Sequence, residues 1–244
     1  MTRGPGDAGA PGPLARLVDH TALDPATTGA DVDRLCREAV DMGFAAVCVN
    51  PCHVERAAAA LEGEEPAAAT VVSFPLGQHP PAAKAREARE AVEAGAEELD
   101  MVVNLGAVRE GRWDVLASGV GAVAEAAGEG VLVKAILETA ALAPREVVRA
   151  AREAVGAGAD VLKTSTGFHP AGGATPDAVA LLRMAGGTAV GVKAAGGIRT
   201  CEQALRMVAA GATRIGTSSG LELAACRDPL PPSLTEDLGG GRRW

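Results

Sequence analysis

Short apolar runs alternate with amphipathic stretches along most of this chain. Val32, Leu35, Cys36, Ala39 and Val40 recur at the i, i+3, i+4, i+7, i+8 spacing of one helical face. Leu116, Val120 and Val123 form a second such stripe. Val147, Val148, Ala151 and Val155 form a third, led in by Pro144 at its first turn. Between and around these helices lie apolar runs short enough for strands, near residues 17–20, 45–49, 70–74, 99–103, 131–136, 161–164, 189–194 and 214–216. One junction recurs four times: a small or apolar residue and Gly close a helical pattern, and an apolar run follows. The instances are Met42-Gly43, Ala94-Gly95, Ala157-Gly158 and Ala210-Gly211. Gly suits the left-handed position that ends a helix.

Eight strands alternating with helices point to a parallel sheet. At 244 residues the chain matches the usual size of a (β/α)8 barrel. Pattern alone leaves an open doubly wound sheet in play. However, Asp19-His20-Thr21-Ala22-Leu23, after the first strand, is unlike the glycine fingerprint of a dinucleotide-binding sheet. The expected architecture is α/β, a single-domain (β/α)8 TIM barrel over residues 14–226. Residues 1–13, rich in Gly, Pro and Ala, are expected to form a disordered lead-in, and residues 227–244 a flexible tail.

Composition sharpens this picture. Hydrophobic residues make up 48% of the chain but aromatics only 2%, with no Tyr, so the core must be built from Ala, Val and Leu. A formal net charge of −8 argues against a nucleic-acid partner while permitting a local positive pocket for phosphate. No run of 18 apolar residues suggests a membrane span, and the N-terminus lacks the pattern of a secretory signal. Five cysteines (Cys36, Cys48, Cys52, Cys201 and Cys226) in a chain this long suggest a reduced compartment, and a cytoplasmic location is expected. Cys48, Cys52 and His53 are too few for a zinc site, so small packed thiols and no metal are expected.

Charge within the apolar strands carries the chemistry. The barrel's active site lies at the C-terminal strand ends. Strand 1 is expected to end at Asp19. Strand 4 contains Asp100, strand 5 contains Lys134 and is followed by Glu138, strand 6 ends in Lys163-Thr164, and strand 7 contains Lys193. A lysine buried among Val and Leu is costly unless it has a partner or a task. Three lysines on three consecutive strands, with acids on strands 1 and 4, imply a polar cluster in the mouth of the barrel. A structural ion-pair network is the alternative. Crowded lysines disfavour one another's charged forms. A neutral amine attacks carbonyls to give an imine, which suggests Schiff-base chemistry with one lysine as nucleophile and another as its electrostatic neighbour. Two glycine-rich turns, Ala195-Gly196-Gly197-Ile198-Arg199 and Gly216-Thr217-Ser218-Ser219-Gly220, follow strands 7 and 8, where phosphate commonly sits in this fold. Simple turn punctuation is the alternative there.

The motifs Asp19-His20-Thr21, Val47-Cys48-Val49-Asn50-Pro51, Ser73-Phe74-Pro75-Leu76-Gly77 and Glu98-Leu99-Asp100-Met101-Val102-Val103-Asn104 resemble the deoxyribose-phosphate aldolase family in that order. So do Val133-Lys134-Ala135-Ile136-Leu137-Glu138-Thr139 and Leu162-Lys163-Thr164-Ser165-Thr166-Gly167-Phe168. The blocks from Gly191 to Arg199 and from Arg214 to Gly220 complete the set, so the resemblance runs from Asp19 to Gly220. It implies reversible cleavage of 2-deoxy-D-ribose 5-phosphate to acetaldehyde and D-glyceraldehyde 3-phosphate. Lys163 matches the imine-forming lysine, Lys193 the neighbour that lowers its pKa, and Asp100 the acid that activates a water. Asp19, Lys134 and Thr164 match supporting residues of the proton relay and substrate site. Gly167, Gly196, Gly197, Gly216, Ser218 and Ser219 match the phosphate-binding set. The resemblance also implies no metal or organic cofactor and a homodimer acting on a small phosphorylated sugar; the charge and the lack of a long apolar run lead to no expected nucleic-acid or membrane partner.

Two departures stand out. Pro81 replaces a frequent Thr at a helix start, and the Tyr that some relatives use near the C-terminus is missing. Rival readings are another Schiff-base barrel such as fructose-bisphosphate aldolase or transaldolase, a phosphosugar isomerase, or a phosphate-ligand binder without catalysis. The last two leave Lys163 unexplained.

Overall fold

Helix α1 (Gly29–Met42) starts where Thr28 and Asp31 cap each other, and ends at Gly43 in the left-handed conformation, φ 62°. All four glycines of the recurring junction have positive φ: 62° at Gly43, 99° at Gly95, 103° at Gly158 and 109° at Gly211. Each turns the chain out of a helix into the next strand. In this computed structural model, residues 10–231 are described. Of the lead-in expected at residues 1–13 and the tail expected at residues 227–244, residues 1–9 and 232–244 lie outside the described residues. Within them, the Gly12 N–H donates to Ala224 O at 2.8 Å, and Leu230 packs partly buried against the core.

The strands are β1 (Val18–Ala22), β2 (Ala46–Val49), β3 (Ala67–Val72), β4 (Glu98–Val102), β5 (Leu132–Ile136), β6 (Val161–Lys163), β7 (Gly191–Ala195) and β8 (Arg214–Thr217). All neighbours run parallel, in sequence order. Pairing of Val18 with Ile215 and Asp19 with Gly216 joins β8 to β1 and closes the barrel, which removes the open-sheet alternative. After α1 come α2 (Val54–Ala60), α3 (Pro81–Glu93), α4 (Leu105–Arg109), α5 (Trp113–Ala127), α6 (Pro144–Gly156), α7 (Pro176–Gly186), α8 (Cys201–Ala209) and α9 (Gly220–Ala224). Pro81 stands at the first position of α3, where its missing N–H costs nothing.

Alternation along the strands separates two environments. Val47, Val49, Leu99, Met101, Val133, Leu162, Val192 and Ile215 belong to the large core cluster, which the helix stripes complete. Ala46, Cys48, Ala69 and Val71 form a second, small cluster on the opposite strand faces, inside the barrel. The same strand faces also carry the charged residues Asp19, Glu98, Asp100, Lys134, Lys163, Lys193 and Arg214, all buried.

Three strands, β1, β3 and β7, differ most from the pattern-based expectation, the others by no more than a single residue at either end. Residues Ala15–Leu17 form a 3-10 turn, so β1 starts later and Asp19 is its second residue, not its end. Strand β3 begins at Ala67, because an Ala-rich start has little strand signature; it stops before Ser73, whose φ is 54°. Strand β7 begins at Gly191 and runs through Ala195. The expectation that all five cysteines are thiols is also corrected. Cys201, opening α8, and Cys226, just past α9, form a disulfide with a Cα–Cα distance of 5.5 Å, while Cys36, Cys48 and Cys52 are free. Two residues 25 apart in sequence meet only because the two helices are neighbours in the closed barrel.

Candidate active site

A strand places every second side chain on the same face. Asp19 from β1, Glu98 and Asp100 from β4, Lys134 from β5, Lys163 from β6, Lys193 from β7 and Arg214 from β8 therefore all enter the barrel. Each is buried, Lys163 being 3% exposed and Lys134, Lys193, Asp19 and Asp100 0%. Lys163 Nζ and Lys193 Nζ both lie 2.6 Å from Asp100 Oδ2. Lys193 Nζ is also 2.5 Å from Asp19 Oδ2. Lys134 Nζ touches three carboxylates: Asp19 at 3.1 Å, Glu98 at 2.5 Å and Asp100 at 2.8 Å. Arg214 donates from Nε to Asp19 Oδ1 at 2.7 Å and grips both oxygens of Glu98, at 3.1 and 2.9 Å.

These contacts divide the lysines. Burial lowers the pKa of Lys163, and this with the Lys193 charge outweighs the attraction of Asp100. Lysine crowding in the sequence suggests mutual repulsion as the cause, but burial is the larger effect. Burial also opposes the charge on Lys193, but Asp100 and Asp19 together raise its pKa. Lys134 is likewise held well above the ordinary lysine range: burial opposes it, and Asp100, Asp19 and Glu98 prevail. The carboxyls of Asp19 and Asp100 are held below their ordinary value, the surrounding cations overcoming burial. Thus Lys163 alone among the three lysines is biased toward the free amine.

A cavity of about 770 Å³ opens above the cluster. Lys163 lines it, whereas Asp19, Asp100, Lys134 and Lys193 do not. Its walls include Gly167, Gly196, Gly197, Gly216 and Ser218, five of the six residues expected at phosphate. Ser219 is not among the lining residues; it stands at the N-cap position of α9 without a side-chain capping bond, and its N–H donates to Thr217 Oγ1 at 2.9 Å. Thr217 Oγ1 in turn donates to Ile198 O at 2.7 Å, tying the two glycine turns together. Gly216 also makes room for the cluster, since a Cβ there would stand 3.0 Å from Lys193 Cε. Thr164 stands apart from the charges. Its hydroxyl donates to Ala195 O at 3.1 Å and accepts from Ala195 N at 3.0 Å, bracing β6 against β7. Glu138, also buried, accepts from Thr166 N and Oγ1, and so holds the loop that carries Gly167.

Cys48 is fully buried, and burial pushes its thiol upward, as suits a packed, protonated side chain. Cys52 is exposed and His53 Nε2 lies 3.1 Å from Thr27 O, so these residues do not converge with Cys48. A further buried lysine, Lys84 of α3, lies outside the cluster. It donates to Val102 O at 2.7 Å, and burial lowers it to about 8. Sequence reasoning missed Glu98 and Arg214 as members of the site. Both signals were available: Glu98 precedes Asp100 by one strand period, and Arg214 precedes Gly216 by the same step.

A closed parallel barrel whose cavity meets one buried lysine biased toward the free amine defines a class of enzyme, the barrel aldolases. The chain belongs to the DeoC/LacD family of aldolases, whose pattern matches residues 14–225. It is 48% identical over 210 residues to the deoxyribose-phosphate aldolase of Macrococcus caseolyticus, covering 86% of this chain and 94% of that protein. It is 49% identical over 210 residues to that of a Geobacillus species, with the same coverage. Among solved structures, the tetrameric deoxyribose phosphate aldolase of Aeropyrum pernix superposes with a TM-score of 0.81 at 36% identity, covering 86% of this chain and 89% of that one.

Proposed function

We propose that this chain catalyses the reversible aldol cleavage of 2-deoxy-D-ribose 5-phosphate to acetaldehyde and D-glyceraldehyde 3-phosphate through an imine on Lys163. One observation carries the reading: Lys163 is the lysine of the buried cluster that lines the cavity, and its surroundings favour the neutral amine. In this scheme its nitrogen lone pair adds to the C1 aldehyde of the open-chain sugar. The carbinolamine loses water to give a protonated imine. The C3 hydroxyl then gives up its proton as the C2–C3 bond breaks, and the bonding electrons pass to the imine as an enamine. D-glyceraldehyde 3-phosphate leaves. Protonation of the enamine carbon and hydrolysis release acetaldehyde and restore the amine. The iminium is the electron sink, so the reaction as written needs no metal or organic cofactor.

Asp100, ionised and shared by both amines, serves as the proton acceptor and donor through a water. Lys193 keeps a positive charge beside Lys163, and Asp19 and Lys134 hold that arrangement. The glycine turns and Ser218 receive the phosphate, which leaves the sugar's aldehyde end directed to Lys163. Ser219 and Thr164 act behind this surface as braces. A phosphorylated sugar cannot cross a membrane unaided, which favours a cytoplasmic reaction in deoxyribonucleotide catabolism. The proposed assembly is a homodimer, to be checked by mass measurement in solution. The decisive test is borohydride reduction in the presence of acetaldehyde, followed by peptide mass mapping. An ethyl group on Lys163 is expected; a label on another lysine, or none, would overturn the assignment.

A further inference from the structure

Inside the barrel, among the described residues, four basic side chains stand in contact with three carboxylates. The bases are Lys134, Lys163, Lys193 and Arg214; the acids are Asp19, Glu98 and Asp100. If all seven were ionised, one uncompensated positive charge would remain in a water-poor interior, where it is expensive. One base must therefore release its proton most readily. Arg214 does not, because guanidinium stays protonated in proteins. Lys134 is held by three carboxylates and Lys193 by two, whereas Lys163 has Asp100 alone.

We propose that Glu98 and Arg214, the opening residues of β4 and β8, form a positioning pair that directs this proton loss to Lys163. This inference rests on the imine reading of Lys163. Neither residue lines the cavity, so neither touches the substrate. Arg214 acts through Asp19: it occupies Asp19 Oδ1 from below and leaves Oδ2 to Lys134 and Lys193. Glu98 acts through Lys134, its Oε2 being shared between that ammonium and the Arg214 guanidinium. With the foot of the barrel so arranged, Asp19 stays ionised and both deeper lysines keep their protons. The surplus then falls on the amine at the top. Besides Asp100 and Lys193, the titratable group acting on Lys163 is Cys48 of β2, which burial keeps protonated and neutral; His20, Asp24, Arg34, Glu38, Arg199 and Glu222 line the wider cavity and are left in place by both variants. Lys84 lies outside the barrel interior, and Glu138 is engaged by Thr166, so neither enters the count.

Charge balance predicts opposite responses from the two partners. Arg214→Met removes a permanent cation, so three lysines then face three carboxylates and Lys163 can keep its proton. Glu98→Gln removes an anion and enlarges the surplus, so Lys163 loses its proton more easily. A merely structural pair would not produce shifts of opposite sign.

The experiment is the pH dependence of acetaldehyde trapping on Lys163 by borohydride, quantified by peptide mass spectrometry, with folding followed by circular dichroism. The midpoint should rise by about one pH unit in Arg214→Met and fall by a similar amount in Glu98→Gln, as expected for loss of a nearby charge. The double variant should return to near the wild-type midpoint. Glu98→Gln is nearly isosteric, so it decides the matter if Arg214→Met does not fold. An unmoved midpoint in Glu98→Gln, or a shift of the same sign in both variants, would overturn the inference. Absence of the adduct from wild-type Lys163 would instead overturn the imine reading on which it rests.

Discussion

Lys163 and Lys193 donate to the same oxygen of Asp100, each amine 2.6 Å from Oδ2. They stand on adjacent strands and are direct partners in the β6–β7 register. One carboxylate oxygen therefore serves two amines, and the environment separates them. Lys193 gains a second carboxylate from Asp19, while Lys163 faces the cavity with none beyond Asp100. The same geometry that protonates one amine frees the other.

Lys193→Leu should raise the Lys163 pKa, because it removes a neighbouring positive charge while leaving Asp100 in place. A midpoint displaced by one pH unit corresponds to about 1.4 kcal/mol between the protonation states. The imine-trapping profile should move to higher pH, with activity partly recovered in base. An unchanged midpoint would refute the coupling, and an adduct on Lys193 in the wild type would reverse the two roles.

Lys163→Arg should keep the positive charge and the fold yet form no trapped adduct, since guanidinium remains protonated. Loss of the nucleophile should lower kcat by at least about a thousandfold, in line with other enzymes stripped of theirs. Circular dichroism checks the fold and steady-state kinetics the activity. Retention of substantial cleavage would exclude Lys163 as the essential amine.

Ser218→Asp places a negative charge on the cavity wall. KM for the phosphorylated sugar should rise by about tenfold or more, which is about 1.4 kcal/mol of binding. Unphosphorylated deoxyribose should suffer less. Ser219→Asp should have the smaller effect, because Ser219 stands at the N-cap position of α9, outside the cavity lining. Equal losses for both sugars would mean that these turns do not hold phosphate.

Asp19→Asn leaves Arg214, Lys134 and Lys193 without one of their shared carboxylates. Breaking a buried pair from one side costs about 3–5 kcal/mol, readable as a lower urea midpoint. The wild type should also show a characteristic acid response. The folded-state pKa of Asp19 lies below its ordinary 3.8, because Arg214, Lys134 and Lys193 overcome the opposing effect of burial. Its contribution is therefore present above that value and is lost as pH falls below it toward the folded-state pKa. Acid unfolding followed by circular dichroism should become less steep in Asp19→Asn; identical slopes would show that Asp19 does not contribute to acid sensitivity.

The order of strands and helices, the glycines that end four helices, and the strands that bear Lys134, Lys163 and Lys193 are legible from the amino-acid order alone. These are local or periodic properties: a helix stripe, a left-handed terminal residue and a two-residue alternation are all written in neighbouring positions. Lysines embedded in apolar strands were legible for the same reason, as costly exceptions to their surroundings. Closure of the barrel was decided in three dimensions, by the pairing of β8 with β1 across almost the full chain. That closure brings Arg214 to Asp19 and Glu98, residues separated by 195 and 116 positions, and no local pattern encodes such contacts. The packing of α8 beside α9 brings Cys201 to Cys226, and neither Ser219 nor Thr164 lines the cavity, although their motifs suggest otherwise. Which lysine loses its proton depends on how many carboxylates each one meets and on which one reaches the cavity. Coulomb interactions in a desolvated interior depend on distance through space, and only the folded chain sets those distances.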